Sequence, residues 1–245
     1  MADVLTLPVR SLVAATPRTR ILRLDLKGSP FVFHAGQAAL IGLHGQPQRR
    51  PYSIASSPED AVRHTRLEFL LKVDDSGYAG PHLPELHRDA RIDLEGPFGS
   101  FTLKEPPSPP EQDGASGYLF IAGGTGLSPL RAMMRHLIAR GERRPISVLY
   151  SARTPDEFAY KRELQRLARR KLIALTLTVT GEMREDAGDP WRGERGRISA
   201  SQLAQALPSP DPLCFICGPP ALVEDVPPLL LQLGVKSAHI RTEEW

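Results

Sequence analysis

Tyr118-Leu119-Phe120-Ile121-Ala122-Gly123-Gly124-Thr125-Gly126-Leu127-Ser128-Pro129 is the stretch on which the architecture turns. Five apolar residues in an unbroken run read as a strand buried on both faces, which is the habit of parallel sheets. The glycines that follow allow a tight turn and a close backbone approach, because glycine carries no side chain. Pro129 then suits the first position of a helix, predicted over Ser128 to Arg140. The turn is not the dinucleotide G-x-G-x-x-G, since Pro129 stands where the third glycine belongs. It also lacks the Gly-Lys-Ser/Thr end of a Walker loop. Two readings remain, a nucleotide-phosphate loop and a structural turn, and its place between a buried strand and a helix favours the first.

Downstream the same grammar repeats. Strands are predicted over Ile146 to Ala152, Leu172 to Thr180, Leu213 to Cys217 and Ala238 to Thr242. Helices are predicted over Phe158 to Arg170, from a Ser199 cap through Leu207, and over Pro220 to Leu233. Alternating strands and helices build a parallel sheet with helices on both faces, whose ligands sit beyond the C-terminal strand ends where the strand order reverses.

Upstream the pattern changes. Val4 to Ala15, Thr19 to Leu26, Ala38 to Leu43 and Leu67 to Lys72 are strand-like runs bounded by turn residues, and the single helix expected there is a short one at about Pro81 to His87. Many strands with turns between them predict a small antiparallel β-barrel. The Pro-rich segment Lys104 to Gly117 has no periodicity and reads as a linker. The expected organisation is therefore two domains, an antiparallel β-barrel over residues 1–104 and an α/β parallel-sheet domain over 118–245, joined by a linker at 105–117.

Composition narrows the function. The chain has 245 residues and a formal net charge of +3, with no run of five like charges, which argues against a nucleic-acid tail. Its two cysteines, Cys214 and Cys217, are too few for an iron–sulfur cluster, which typically takes four, and no metal site is expected. The N-terminus lacks the basic and apolar regions of a signal peptide, and no apolar run approaches the ~20 residues that span a bilayer. These features predict a cytoplasmic protein without nucleic-acid or membrane partners, and a monomer.

Four further motifs carry chemistry. In Arg50-Pro51-Tyr52-Ser53, strand alternation puts Arg50 and Tyr52 on one face and Ser53 on the other or at a bend. A cation beside a flat ring suits a ligand with a phosphate and an aromatic system; the bland reading is a half-exposed strand. In Gly77-Tyr78-Ala79-Gly80-Pro81-His82-Leu83, two glycines either open a short helix whose exposed N–H groups make an anion site or form a simple tight turn. In Cys217-Gly218-Pro219-Pro220, a Cys-x-x-Cys redox reading fails because Cys214 and Cys217 would point to opposite faces of one strand, which leaves a buried Cys214 and a cleft-facing Cys217. Thr242-Glu243-Glu244-Trp245 places a large aromatic at the C-terminus, where chains usually fray, so it packs on something flat or is incidental.

Together, in this order and at these intervals, the motifs resemble the ferredoxin–NAD(P) reductase superfamily. Gly96-Pro97-Phe98-Gly99-Ser100-Phe101 and His34-Ala35-Gly36-Gln37 match two further corners of that pattern, and the resemblance runs from about Leu5 to Trp245. It implies bound FAD, with NADH or NADPH as the second cofactor. It implies that Arg50 binds the flavin pyrophosphate, that Pro51 belongs to the same cofactor-binding segment, that Tyr52 packs on the isoalloxazine ring, and that Ser53 hydrogen-bonds near its reactive nitrogen. Leu71, Lys72 and Val73 would line the flavin edge, and Gly77, Tyr78, Ala79 and Gly80 would cradle the pyrophosphate. Gly124, Thr125, Gly126, Ser128 and Pro129 would hold the nicotinamide nucleotide's pyrophosphate, and Ser151, Arg153, Thr180 and Arg184 its adenosine end. Cys217, Gly218 and Pro219 would sit beside the nicotinamide. Ser53, Cys217, Glu243 and Trp245 would be the catalytic set, with Trp245 stacked on the flavin as a gate.

Two departures stand out. The family's flavin loop usually carries Ser or Thr where Gly80 stands, and the position that often carries a 2′-phosphate-gripping arginine is Gly181, with Arg184 three residues on. The implied activity is hydride transfer between NAD(P)H and FAD, followed by single-electron transfer to a separate carrier such as ferredoxin or flavodoxin. The alternatives are a free-flavin or quinone reductase, and a non-catalytic flavin- or nucleotide-binding electron-transfer or sensor subunit.

Overall fold

The computed structural model describes residues 4–83, 86–103, 114–181 and 191–244. Two compact units emerge, Met1–Leu103 with Arg131–Gly141 and Lys104–Leu130 with Glu142–Trp245. Most of the expected linker, 104–113, lies outside the described residues.

Among the described residues, the first unit is an antiparallel sheet of six strands: β1 (Val4–Thr16), β2 (Thr19–Asp25), β3 (Ala38–Leu43), β4 (Arg50–Ser53), β5 (Arg66–Lys72) and β6 (Arg91–Phe98). Their order is β4-β3-β6-β1-β2-β5, and an antiparallel bridge between Ile54 and Phe69 joins the two ends, so the sheet closes on itself. Alternate residues point inwards, and Leu22, Leu24, Ile41, Leu67, Phe69 and Leu94 form the core of the barrel. β6 was not foreseen, because Gly96-Pro97 at its end reads as a turn.

The described residues of the helix expected at Pro81 to His87 are not helical: Pro81 to Leu83 form a turn and bend, and Leu86 and His87 are irregular. Among the described residues before Tyr118, the helix is Pro58–His64 instead. Its Ser57 cap accepts the Asp60 amide, a proline stands in its first turn, and Thr65 ends it in the left-handed region at φ 51°. Within the same unit, the Asp60 carboxylate is ion-paired with Arg135. Arg131 donates to the Ala55 carbonyl at 2.5 Å, and Glu59 meets His136 at 2.8 Å.

The second unit holds a parallel sheet of six strands among the described residues, in the order β10-β9-β8-β7-β11-β12. They are β7 (Tyr118–Gly123), β8 (Ile146–Ala152), β9 (Ala174–Val179), β10 (Glu194–Arg195), β11 (Leu213–Gly218) and β12 (Ile240–Glu244). The chain steps from β7 outwards to β8 and β9, then returns to lay β11 and β12 on the other side. The strand order therefore reverses between β7 and β11, which marks the ligand crevice of an open α/β sheet.

Several boundaries differ from the sequence expectation. A 3-10 turn at Gly124–Gly126 runs directly into the helix Leu127–Ala139, so Pro129 is the third helical residue, where its missing N–H still costs nothing. Tyr160, left-handed at φ 54°, delays the next helix to Lys161–Arg169. The Ser199 cap forms as expected, as a reciprocal capping box with Gln202.

Candidate functional site

In the first unit, Arg50 and Tyr52 alternate along β4, opposite Ile41 and Ala39 of β3, and Ser53 lies opposite Ala38. Ser53 is half-buried and Pro51 exposed. The loop after β5 is tied by Asp74, whose carboxylate accepts the Ser76 amide at 3.0 Å, the Ser76 hydroxyl at 2.7 Å and the Tyr78 amide at 2.9 Å. These bonds hold the Asp74 carboxyl below the usual carboxylate range. Leu71, Val73, Gly77, Tyr78 and Ala79 border one cavity of about 170 Å³, together with Arg20, while the Lys72 side chain is exposed.

Gly80 lies at φ +106°, where only glycine is unstrained. A methyl group placed there would sit 3.4 Å from His82 Nδ1 and 4.0 Å from an Arg50 guanidinium nitrogen. His82 is wholly buried, and its Nε2 lies 2.8 Å from the Tyr52 hydroxyl with the two rings stacked at 5.7 Å. Burial pushes the Tyr52 hydroxyl up despite Arg50. Burial, then the Arg50 charge, pulls His82 down, so both partners are neutral near pH 7. The open guanidinium of Arg50 beside a glycine turn fits an anionic, phosphate-bearing group. His82 was not singled out from the sequence, because a lone histidine in a turn has no periodicity to mark it.

In the second unit, a cleft of about 420 Å³ opens at the C-terminal ends of the parallel strands and is bordered by Gly124, Ser151, Arg153, Thr180, Arg197 and Pro219. Gly126 packs against β11 so tightly that a methyl on it would fall 2.2 Å from the Cys217 carbonyl oxygen. A methyl on Gly218 would meet the Gly123 backbone nitrogen at 3.1 Å. Tyr150 fixes the turn from below, donating to the Gly124 carbonyl at 3.0 Å and accepting the Ala159 amide at 3.2 Å. A glycine turn held rigidly at a strand-order reversal is the form of a nucleotide-phosphate site. Thr125, Gly126, Ser128 and Pro129 continue the turn but do not border the cleft. Arg184 and Trp245 lie outside the described residues.

Three observations revise or extend the sequence reading. Cys217 does not face the cleft: its side chain is buried, as is that of Cys214, and the thiol is pushed up by burial and by Glu243. Gly181 is glycine for a packing reason, since a methyl there would come 2.6 Å from the Arg153 carbonyl oxygen, so this site has no room for the arginine expected in NADPH-preferring relatives. Arg197, which borders the cleft and pairs with Asp225 at 3.6 Å, was missed; Gly196-Arg197-Ile198 directly before the Ser199 cap was its only signal.

Glu243 lies on β12 in register with Cys217. It is half-buried, and burial pushes its carboxyl up to about 7. Among the described residues there is no cluster of His, Cys, Asp and Glu able to hold a metal, and no helix long and apolar enough to cross a membrane.

Comparison with known proteins identifies the family. An oxidoreductase FAD-binding domain family matches residues 6–103, and an oxidoreductase NAD-binding domain family matches residues 120–227. A "Ferredoxin--NADP reductase B" of Sorangium cellulosum is 32% identical over 89% of this chain and 87% of its own length. An "NADH-cytochrome b5 reductase 2" of Scheffersomyces stipitis is 28% identical over 72% of this chain and 56% of its own. Among solved structures, a cytochrome P450 reductase of Amycolatopsis superposes with a TM-score of 0.81 at 24% identity, covering 100% of this chain and 71% of that one. A ferredoxin NADP+ reductase of Neisseria gonorrhoeae, with FAD and NADP bound, gives 0.76 at 18% identity, covering 100% and 99%. The chain therefore belongs to the ferredoxin–NADP reductase superfamily and is an NAD(P)H-dependent flavoprotein oxidoreductase, with an antiparallel FAD-binding domain followed by a parallel-sheet nicotinamide-nucleotide domain.

Proposed function

We propose that this chain takes electrons from NADH or NADPH and passes them singly to a separate carrier protein of the ferredoxin or flavodoxin kind, working as a monomer in the cytoplasm. The observation that supports this reading is the resemblance, over 89% of the chain, to a reductase named for ferredoxin and NADP. Bound FAD would supply the step between two-electron and one-electron chemistry.

The chain's own residues do the rest. In this reading the barrel domain spans 1–104 and the nucleotide domain 118–245, with 105–117 between them. Arg50 neutralises the flavin pyrophosphate over the Gly77–Gly80 loop, and Tyr52 and Ser53 orient the ring. The turn from Gly124 to Pro129 holds the nucleotide pyrophosphate, Gly218 and Pro219 lie beside the nicotinamide, and Ser151, Arg153, Thr180 and Arg184 hold the adenosine end. Glu243 is the proton-bearing group of the site, and Trp245 stacks on the flavin ring. No strong general base is needed, because transfer requires chiefly that the reacting atoms be held ~3–3.5 Å apart.

A steady-state comparison tests the proposal. Purified holoprotein is supplied with NADH or NADPH and with ferricyanide, a ferredoxin, a flavodoxin, free flavin or a quinone. Turnover with a one-electron carrier protein at kcat/KM well above that for free flavin or quinone is expected. Preference for free flavin or quinone makes it a small-molecule reductase, and nucleotide binding without turnover makes it a sensor subunit; either result rejects the proposal.

A further inference from the structure

His82 is tied on three sides. Its carbonyl accepts the Leu43 amide at 3.0 Å, which fixes its backbone to the end of β3. Its Nε2 meets the Tyr52 hydroxyl at 2.8 Å, and the stacked Tyr52 ring limits its rotation. The remaining atom, Nδ1, is buried and has no hydrogen-bond partner among the described residues.

A neutral tyrosine carries one hydroxyl proton. If Tyr52 donates it to Nε2, the neutral imidazole keeps its own proton on Nδ1. That leaves a buried N–H without an acceptor among the described residues, a costly state unless a ligand supplies one. Nδ1 and an Arg50 guanidinium nitrogen both border the space above Gly80, at 3.4 Å and 4.0 Å from the point where a side chain would begin. Arg50 is exposed and its guanidinium hydrogen-bonds to no described residue, so it can pivot aside and still neutralise a ligand that enters.

We infer that His82 is an anion-binding residue of the flavin site: its Nδ1–H donates to a pyrophosphate oxygen beside Arg50, while the Tyr52 hydroxyl donates to its Nε2. His82 thereby couples the two ends of the ligand, since the group that contacts the phosphate also fixes the tyrosine. The inference rests on the assignment of Arg50 and Gly80 to the pyrophosphate.

Two experiments on the full chain test it. Histidine 15N shifts of the FAD-loaded protein are expected to show His82 as the neutral Nδ1–H tautomer; the Nε2–H tautomer overturns the inference. FAD and riboflavin, which lacks phosphate, are then titrated into apoprotein of the wild type, His82→Gln, His82→Asn and Arg50→Ala. A Gln amide replaces Nε2 and an Asn amide replaces Nδ1. His82→Gln is expected to lose about 10-fold or more in FAD affinity, the order of a hydrogen bond to a charged group, with riboflavin affinity held within about 2-fold, whereas His82→Asn retains FAD to within about 3-fold. Loss of FAD and riboflavin affinity alike in His82→Gln, or no loss of either, overturns the inference. Should Arg50→Ala also bind FAD normally, the placement of the pyrophosphate fails, and the assignment of His82 falls with it for that separate reason.

Discussion

Cys217 and Glu243 stand opposite one another, in register, on the adjacent parallel strands β11 and β12. The carboxyl is the group with the most to lose there, because burial raises it from its ordinary 4.5 to about 7. Between those values the folded chain binds more protons at this position than the unfolded chain. The contribution to stability is complete below about pH 4.5 and is lost as pH rises through about 7. Asp60 and Asp74, both held below the usual carboxylate range, act in more acidic solution and leave this window alone. Glu243→Gln is expected to flatten the decline in Tm between about pH 5 and pH 8 and to raise Tm at the alkaline end. An unchanged slope would remove the buried carboxyl as its source.

The same pair has a chemical consequence for the thiols. Burial, then Glu243, pushes Cys217 up, and burial, then Asp211, pushes Cys214 up to about 12. Thiolate is the reactive species, so neither cysteine reacts in the folded state. A chromogenic disulfide reagent at about pH 8 is expected to titrate close to no thiol in native protein and both after denaturation. Fast labelling of Cys217 in the native chain would mean that β11 opens readily.

Arg50 carries the flavin phosphate charge in the proposed site. Arg50→Ala is expected to weaken FAD binding by roughly 1.5–3 kcal/mol, the range for hydrogen bonds to charged groups. Dilution of the holoprotein, followed by the recovery of flavin fluorescence, measures the change. Full occupancy at unchanged affinity would count against the assignment.

Gly181 limits what can be engineered at the adenosine end. Since even a methyl group there would meet the Arg153 carbonyl oxygen at 2.6 Å, Gly181→Arg is expected to destabilise the fold by about 1–3 kcal/mol, the cost of overpacking, rather than create an NADPH grip. Urea denaturation reads the first effect and the ratio of kcat/KM for NADPH and NADH the second. In the unaltered chain that ratio is expected to be small or to favour NADH. A strong NADPH preference that survives loss of both Arg153 and Arg184 would show that the adenosine end lies elsewhere.

The second half of the chain was the more legible. Tyr118–Gly123 is an unbroken apolar run and Ile146–Ala152 is apolar apart from Ser147 and Ser151, and a strand buried on both faces writes itself that way. Arg91–Phe98 was lost because the Gly96-Pro97 pair inside it carries the signal of a turn. Pro58–His64 was lost because only Ala61 is a buried apolar residue in it, and its inward Asp60 is held by charge, not by hydrophobic periodicity. The glycine loops and Arg50 were visible as motifs. His82, Arg197 and the constraint on Gly181 were not, because each depends on which distant backbone stands beside it. The depth of Cys217 belongs with them: alternation along a strand tells which face a side chain takes, not what covers that face.

The bridge from Ile54 to Phe69 also bears on how this chain behaves in a crowd. An unpaired strand edge is a template on which another molecule can add a strand, and closure removes such edges from the first sheet. Among the described residues the second sheet stops on one side at β10, a two-residue strand of an exposed Glu194 and an exposed Arg195 that pairs with Thr178 and Val179 of β9. On the other side β12 carries Arg241, Glu243 and Glu244 among its five residues. Resistance to strand-by-strand aggregation is therefore built into the first sheet by its closure, apart from anything its ligand site requires.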